Sequence, residues 1–264
     1  MTFESFGVRV SLESDSEELL AKVLSIAETA LLGKLSFIDN PKLDIGYRFG
    51  VFLDEGIYYL FQNGEQTNFS KSEFILFKFF NSMLRVTVAE NTVNSVFIHA
   101  GVISWKDQAV IFPARSFKGK TSLVAELIKH GAVYFSDEYA VVDLEGLVHP
   151  FARDLSIRGV TDEYVEADIS PFAFGAQVAE MPARLGCVIL TEYRNGRSWR
   201  PRRLSVGNGI LETIPHTIPM RADAAMSLKI LNRAFSNAII AKSYRGDVKK
   251  DAVAILAFLD KHLN

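Results

Sequence analysis

The sequence predicts an α/β protein in two parts, an N-terminal α/β subdomain over residues 1–94 and a larger domain over residues 95–264. The first observation is that apolar residues repeat at helical spacing behind Ser-x-x-Glu helix starts. The second is that short apolar runs separated by turns, typical of strands, follow from about residue 94. The third is a Gly-Lys-Thr sequence at residues 119–121, between such a run and a helical repeat. The order of strand, loop, helix and strand indicates an α/β core.

The N-terminal subdomain contains two predicted helices and a strand. Residues 14–17 fit a capping box, and apolar residues then recur at helical spacing until Gly33. A second Ser-x-x-Glu start opens another helix at residue 70, and residues 56–61 between the two helices predict a strand. The second helix carries a stripe of aromatic residues. We interpret this stripe as core, with a partner groove as the alternative.

The larger domain alternates predicted strands with helices. After residue 160 the pattern is irregular as far as residue 183. The predicted strands are 96–99, 102–105, 109–112, 132–135, 139–144 and 186–193, and the predicted helices are 121–130, 223–235 and 247–263.

The composition is that of an ordinary globular protein and excludes several classes. The 264 residues carry a net charge of -2 and are 48% hydrophobic, so the basic face that nucleic-acid binding requires is not expected. The single cysteine, Cys187, cannot close an internal disulfide and is interpreted as a buried thiol. The N-terminus has no secretion-signal pattern, and no apolar run approaches the roughly 20 residues of a membrane helix. We therefore expect a cytoplasmic protein with neither nucleic acid nor membrane as a partner.

Residues 114–121, Ala-Arg-Ser-Phe-Lys-Gly-Lys-Thr, fit a P-loop with alanine at the leading glycine. Such a loop turns backbone N–H groups toward phosphates, its lysine bridges the β and γ oxygens, and its hydroxyl binds magnesium. The alternative is a helix start with a surface lysine. The pattern predicts ATP and Mg²⁺ as ligands, held by Ala114, Arg115, Ser116, Phe117, Lys118, Gly119, Lys120, Thr121 and Ser122.

Ala114 is the departure from the usual pattern. A leading glycine often serves a left-handed or close-approach conformation, which alanine adopts at a cost of about 1–2 kcal/mol. We therefore expect a strained or looser loop. Arg115 and Lys118 either offset the weaker backbone contact with phosphate through their positive charge or are solvated side chains.

Two carboxylates, Asp137 and Glu138, follow the strand after the predicted P-loop helix. A right-handed crossover would return this strand beside the one that precedes the loop, with its tip facing the phosphates. One carboxylate is then expected to orient or deprotonate a hydroxyl and the other to hold magnesium; the alternative is a pair of ordinary loop carboxylates. His99 ends another strand near this edge and is either an active-site or a structural histidine. The other histidines lack metal-ligand spacing, so no zinc site is expected.

Four segments, 97–101, 113–123, 136–141 and 148–151, together resemble the P-loop core of HPr kinase/phosphorylase. They are more similar still to its less characterised relatives, in which Arg-Ser-Phe-x-Gly-Lys-Thr is followed by Ser-Asp-Glu-Tyr. The resemblance covers residues 95 to about 160 well and the last hundred residues weakly. It implies the nucleotide-binding core shared by HPr kinase and ATP-type phosphoenolpyruvate carboxykinase. It also implies magnesium-assisted transfer of the ATP γ-phosphoryl group to a protein serine.

Within this resemblance, Lys120 and Thr121 match the phosphate and magnesium residues, Asp137 matches the general base and His99 matches the active-site histidine. Glu138, the expected second metal residue, stands where the bacterial enzyme has an aspartate. The downstream Glu-x-Arg-Gly-x-Gly signature has no counterpart, although residues 194–197 form a basic loop in that part of the chain. These departures leave the phosphate acceptor open.

The sequence thus favours an ATP-dependent kinase acting on a hydroxyl of a peptide, protein or small molecule. The alternative is a non-enzymatic ATP-binding accessory or regulatory module, and a carboxykinase is less favoured because the chain is short. Arginines 153, 158, 194 and 197 are candidate acceptor contacts or solvated side chains. The sequence does not decide between ATP, GTP and pyrophosphate as donor, nor the oligomeric state, a homo-oligomer included.

Overall fold

A computed structural model describes residues 1–39, 46–114, 118–158 and 166–263 of the chain. These residues form two compact units, Met1–Asn94 and Ser95–Asn264. Each unit has its own sheet and helices, so the predicted mixed α/β class is confirmed. Among the described residues, no helix combines the length and apolar character needed to span a membrane.

The first unit is a six-stranded sheet packed against two helices. Its strand order is β3-β1-β2-β4-β5-β6, with β2 and β4 parallel and the other neighbours antiparallel. The two helices form as predicted, but their caps are Ser16 and Ser72, each two residues beyond the first serine of its Ser-x-x-Glu pattern. The capping boxes expected at Ser14 and Ser70 are therefore wrong, because these two hydroxyls bond to Val51 and Ser72 instead. The elements are β1 (Thr2–Ser5), β2 (Val8–Ser14), α1 (Glu17–Ala30), β3 (Ser36–Phe37), β4 (Tyr47–Asp54), β5 (Ile57–Gln62), β6 (Glu65–Ser70) and α2 (Glu73–Asn91).

The aromatic stripe of α2 is only partly core. Phe80 is fully buried and Phe77 packs against the same apolar cluster, whereas Phe74 and Phe79 are exposed. The core interpretation is therefore wrong for these two. Their helical positions do not face the layer that the sheet and α1 form, so the spacing alone does not decide burial.

The second unit is built on an eight-stranded sheet in the order β11-β10-β7-β8-β14-β16-β15, with β9 added at β7. Strands β8, β14 and β16 are parallel to one another, and the remaining neighbours are antiparallel. A separate pair joins β12 and β13. The strands are β7 (Ser95–Trp105), β8 (Gln108–Pro113), β9 (Val133–Ser136), β10 (Tyr139–Asp143), β11 (Leu147–His149), β12 (Leu155–Arg158), β13 (Glu166–Ile169), β14 (Ala183–Tyr193), β15 (Arg202–Arg203) and β16 (Ile239–Arg245).

Helices cover both faces of this sheet. The apolar residues of α3 and α6 form one core with one face, and those of α4 and α5 form a second core with the other. Adjacent residues of β7, Val102 and Ile103, are fully buried in different cores, because successive side chains of a strand point to opposite faces. The helices are α3 (Lys120–Lys129), α4 (Val206–Thr213), α5 (Ala224–Phe235) and α6 (Val248–His262).

Strand β9 does not return beside β8, contrary to the expected crossover. It pairs antiparallel with β7, for example Val102 with Ser136, so β7 lies between β8 and β9. Both edges of β8 are already occupied, one by β7 and the other by β14. The free edge of the long strand β7 accepts β9 and then β10, and the chain turns at Asp137 and Glu138 between them.

Candidate functional site

The candidate site begins where β8 ends and α3 starts. Gly119 is the N-cap of α3, with φ of +74° and no side-chain capping hydrogen bond. The amides of the first helical turn therefore have no capping side chain, and the positive end of the helix dipole is directed at this point. A Cβ at Gly119 would lie 2.7 Å from Nη2 of Arg245, so a side chain here would displace the guanidinium group and also strain the positive φ. The predicted residues Arg115, Ser116 and Phe117 lie outside the described part of the chain.

Ala114 is not strained. It is absent from the described non-glycine residues with positive φ, and its N–H donates to the backbone oxygen of His99 at 3.2 Å. This hydrogen bond continues the antiparallel pairing of β7 with β8 by one residue, so Ala114 extends the path of β8. The expectation of a left-handed conformation at Ala114 is therefore wrong.

Lys120 lies almost completely buried at the start of α3. Its Nζ donates to the backbone oxygen of Ala114 at 3.0 Å and lies 3.2 Å from Nε2 of His99. Burial lowers the pKa of Lys120 to about 8, although the charges of Asp137 and Glu138 oppose the change. Burial and the Lys120 charge lower the pKa of His99 to about 4, so its imidazole is neutral at neutral pH. An unprotonated ring nitrogen can accept a hydrogen bond from the lysine ammonium.

Asp137 is the second buried charged group of the site. Its Oδ2 accepts a hydrogen bond from Thr121 Oγ1 at 2.9 Å, and its Oδ1 lies 3.3 Å from the Tyr134 hydroxyl. Burial raises the pKa of Asp137 to about 6, and the Thr121 bond opposes this change. At neutral pH the side chain of Asp137 is therefore mostly ionised. It lies close to the start of α3, although β9, the strand it follows, is two strands away from β8 in the sheet.

Glu138 has a different partner, although its charge acts on Lys120, His99 and Asp137. Its carboxylate forms an ion pair with Arg153 at 3.1 Å, and both side chains are partly exposed. The Ser136 hydroxyl accepts hydrogen bonds from the backbone N–H groups of Glu138 and Tyr139, and these bonds stabilise the turn between β9 and β10. Asp137, rather than the expected Glu138, thus contacts the Thr121 hydroxyl. Ser122 follows in the first turn of α3 with an exposed side chain.

Arg245, at the end of β16, is a residue that the sequence did not indicate. It is 3% exposed, and its Nη2 donates to the backbone oxygens of Lys118 at 2.8 Å and Gly119 at 2.7 Å. In a planar trans peptide the N–H points opposite to the C=O, so these bonds direct the Gly119 and Lys120 amides away from Arg245. No local pattern marks an arginine that acts on a loop so distant in sequence, and β16 itself was not predicted.

A cavity of about 840 Å³ opens beside the loop, at the carboxyl ends of β8, β14 and β16. We call it the basic cavity. Among its lining residues are the cations Lys118, Arg197, Arg200, Arg202 and Lys242, and the carboxylates Glu192 and Glu212.

Of the candidate acceptor arginines whose side chains the structure describes, only Arg197 is among the residues lining the basic cavity. Arg194 stacks on the Tyr244 ring at 3.9 Å, and Arg153 pairs with Glu138. The side chain of Arg158 lies outside the described atoms.

The chain matches no protein-family model and no curated protein. Across the described ranges, no cluster of three or more His, Cys, Asp and Glu side chains is arranged to hold a metal.

Proposed function

We propose that residues 114–121 bind the phosphates of Mg·ATP and that the protein is a kinase transferring the γ-phosphoryl group to a hydroxyl. The observation that carries this proposal is the hydrogen bond between Thr121 and Asp137. It joins a helix start that carries a buried lysine to a buried carboxylate. Phosphoryl transfer requires these groups together, because a helix start binds phosphate and the carboxylate acts on magnesium or on the attacking hydroxyl.

The phosphate-binding part of the proposal rests on Gly119 and Lys120. The amides of the first turn of α3 have no side-chain cap, and Arg245 binds the carbonyls on their other side. An uncapped helix start of this kind favours anions. The Lys120 ammonium would add a charge-assisted bond to the phosphate oxygens.

The residues also fit a magnesium ion. Thr121 Oγ1 is a hard oxygen of the kind that Mg²⁺ prefers alongside phosphate oxygens and water, and the carboxylates of Asp137 and Glu138 supply negative charge beside it. When bound, magnesium would neutralise charge on the phosphate oxygens. We assign Thr121 to the ion, with Glu138 as an outer ligand through water, and Asp137 to the acceptor hydroxyl.

In the transfer step the acceptor oxygen attacks the γ-phosphorus and the bond to the β–γ bridging oxygen breaks, so that ADP leaves. The hydroxyl proton passes to the carboxylate of Asp137. With its pKa raised to about 6, Asp137 is ionised at neutral pH and is a stronger base than an exposed aspartate.

A non-enzymatic nucleotide-binding module is the second candidate. It is favoured by the fact that both oxygens of Asp137 already face protein hydroxyls, those of Thr121 and Tyr134. A carboxylate held in this way can serve the fold alone. In that case ATP would bind without transfer.

The substitution Asp137→Asn separates these roles, since it keeps the size of the side chain and removes its basicity. For a general base we expect transfer of labelled phosphate, or slow ATP hydrolysis in its place, to fall about 10²–10⁴-fold. Affinity for Mg·ATP should stay nearly unchanged, and the wild-type rate should rise with pH through about 6.

The matched control is Glu138→Gln, because the two carboxylates are neighbours in sequence but have different partners. A magnesium ligand would lose metal-dependent affinity and rate together. The kinase proposal fails if the wild type binds ATP without transfer or hydrolysis and Asp137→Asn changes neither binding nor rate.

A further inference from the structure

We propose that the basic cavity binds an anionic phosphoryl acceptor, a small molecule that carries a carboxylate or phosphate group beside the hydroxyl to be phosphorylated. This inference rests on the proposed kinase function and adds the chemical class of the acceptor. The observations behind it are the charge of the cavity, its position in the sheet and its contact with the loop.

The cavity carries an excess of positive charge. Five lysine and arginine side chains line it against two glutamates, in a chain whose net charge is -2. Lys118 pairs with Glu192 at 3.0 Å and Lys242 pairs with Glu212. Within the described ranges, Arg197, Arg200 and Arg202 form no ion pair with a carboxylate. Their guanidinium groups are therefore available for an anion, to which arginine can bind in bidentate fashion.

The position of the cavity is that of a substrate site. Ligands of open α/β sheets bind in the crevice outside the carboxyl ends of the strands. The cavity is lined there by Pro113 of β8, by residues 190–192 of β14 and by residues 242–244 of β16. A volume of about 840 Å³ lies in the range of roughly 300–1,000 Å³ typical of small-molecule sites.

The cavity adjoins the γ end of the proposed nucleotide site. Ala114 lines the cavity, and its backbone oxygen accepts a hydrogen bond from Nζ of Lys120. The lysine of a P-loop reaches the β and γ phosphates, so the cavity opens beside the group to be transferred. Lys118 also lines the cavity, whereas Lys120, Thr121 and Asp137 are not among its lining residues. Because a nucleoside is uncharged, the excess of cations favours an anionic acceptor there over the nucleoside.

The test measures binding of two small anions, citrate and glycerol 3-phosphate, to the full chain saturated with Mg·AMP-PNP. The cavity variant is Arg202→Gln and its matched control is Arg203→Gln, the other residue of β15, which is not among the lining residues. We expect at least one anion to bind by calorimetry. Because a charge-assisted contact is lost, Arg202→Gln should weaken that binding about tenfold, whereas Arg203→Gln should change it less than about twofold. Neither variant should change the affinity for AMP-PNP.

Three outcomes would overturn the proposal. One is that neither anion binds, and another is that both variants weaken binding equally, which indicates general charge attraction. The third is that Arg202→Gln weakens AMP-PNP itself, which would assign the cavity to the nucleotide. If AMP-PNP does not bind the wild type at all, the proposed phosphate site fails. Anion binding that still depends on Arg202 would then leave a basic cavity with no acceptor role.

Discussion

At the scale of single residues, three titratable groups of the candidate site have their pKa values shifted toward the neutral form. Burial is the largest cause for each of Lys120, His99 and Asp137. Buried ionisable groups cost stability unless a partner compensates, and functional sites are where proteins tolerate this cost. A bound phosphate would place additional negative charge beside Lys120 and favour its charged form.

The pH dependence of stability should reveal the cost at Asp137. Its pKa rises from 3.8 to about 6 in the folded chain, so the folded state binds this proton more tightly than the unfolded state. The ionised form therefore destabilises the fold above pH 6, and this cost is lost as the pH falls toward 4. We expect Asp137→Asn to raise the free energy of unfolding near pH 8 by up to about 3 kcal/mol. The gain should shrink through pH 6, as measured by urea unfolding of the nucleotide-free protein.

The exposed Asp54, at the end of β4, provides the control for loss of one negative charge. Asp54→Asn should leave the unfolding free energy within about 0.5 kcal/mol at each pH. A stability difference between wild type and Asp137→Asn that is the same at every pH would contradict the raised pKa.

Arg245 should act on nucleotide binding through the loop. Arg245→Lys keeps the charge but cannot reproduce the fixed guanidinium that reaches two carbonyls, so the Gly119 and Lys120 amides lose their orientation. We expect affinity for Mg·ATP to fall about tenfold at temperatures where circular dichroism shows a folded variant. Arg233→Lys, at an exposed position of α5, should leave affinity unchanged. Wild-type affinity in a folded Arg245→Lys would show that this residue only stabilises the fold.

Sequence reasoning at this scale predicted the side chains that short local patterns mark. The Gly-Lys-Thr order and the pair of carboxylates are short patterns, and Lys120, Thr121 and Asp137 do lie together. It missed Arg245 because that contact joins residues far apart in the chain. It erred at Ala114 because the conformation of the first loop residue depends on its bond to His99 in the neighbouring strand.

At the scale of elements, the close approach of α3 to β7 fixes the position of the helix start. A Cβ at Gly101 of β7 would lie 2.6 Å from Cγ2 of Val124 on α3. Because glycine lets the helix lie directly on the strand, α3 can direct its first turn at the end of β8. Adding one methyl group at Gly101 should therefore displace α3 from the strand.

We expect Gly101→Ala to destabilise the protein by about 1–3 kcal/mol through overpacking and to weaken Mg·ATP binding, since the start of α3 must shift. Val124→Ala removes the opposing methyl groups, so the double variant should be more stable than the two single effects predict and should regain affinity. Urea unfolding and calorimetry on all four proteins measure this coupling. Gly207→Ala, where nothing lies within 4 Å of the added Cβ, is the control. Strictly additive effects would show that the contact does not position α3.

The helices with cap signals were predictable from sequence. Asp223 and Asp247 cap the two helices predicted to start there, whereas the first two helices are capped by Ser16 and Ser72, two residues beyond the starts of their patterns. The pairing of the strands was not predictable, because it depends on which strand edges in the sheet are still free. The placement of β9 beside β7 follows from the occupation of both edges of β8, which no local pattern records.

At the scale of the whole molecule, the two units have separate apolar cores, and the candidate site and the basic cavity lie within the second. The near-neutral chain concentrates positive charge at one edge of one sheet. Composition predicted neither this local excess nor its position, because charges distant in sequence meet only after β14 and β16 pair.

The central claim is that the start of α3 binds nucleotide phosphates through Lys120. Its most direct test is calorimetric titration of Mg·ATP into the wild type, Lys120→Ala and the volume-matched Lys120→Met. Lys129→Ala, which removes an exposed lysine from the last turn of the same helix, is the control. We expect the wild type and Lys129→Ala to bind alike and both Lys120 variants to bind at least about tenfold more weakly, because a charge-assisted phosphate contact is lost. Unchanged affinity in folded Lys120 variants, or no binding by the wild type, would contradict the proposed phosphate site.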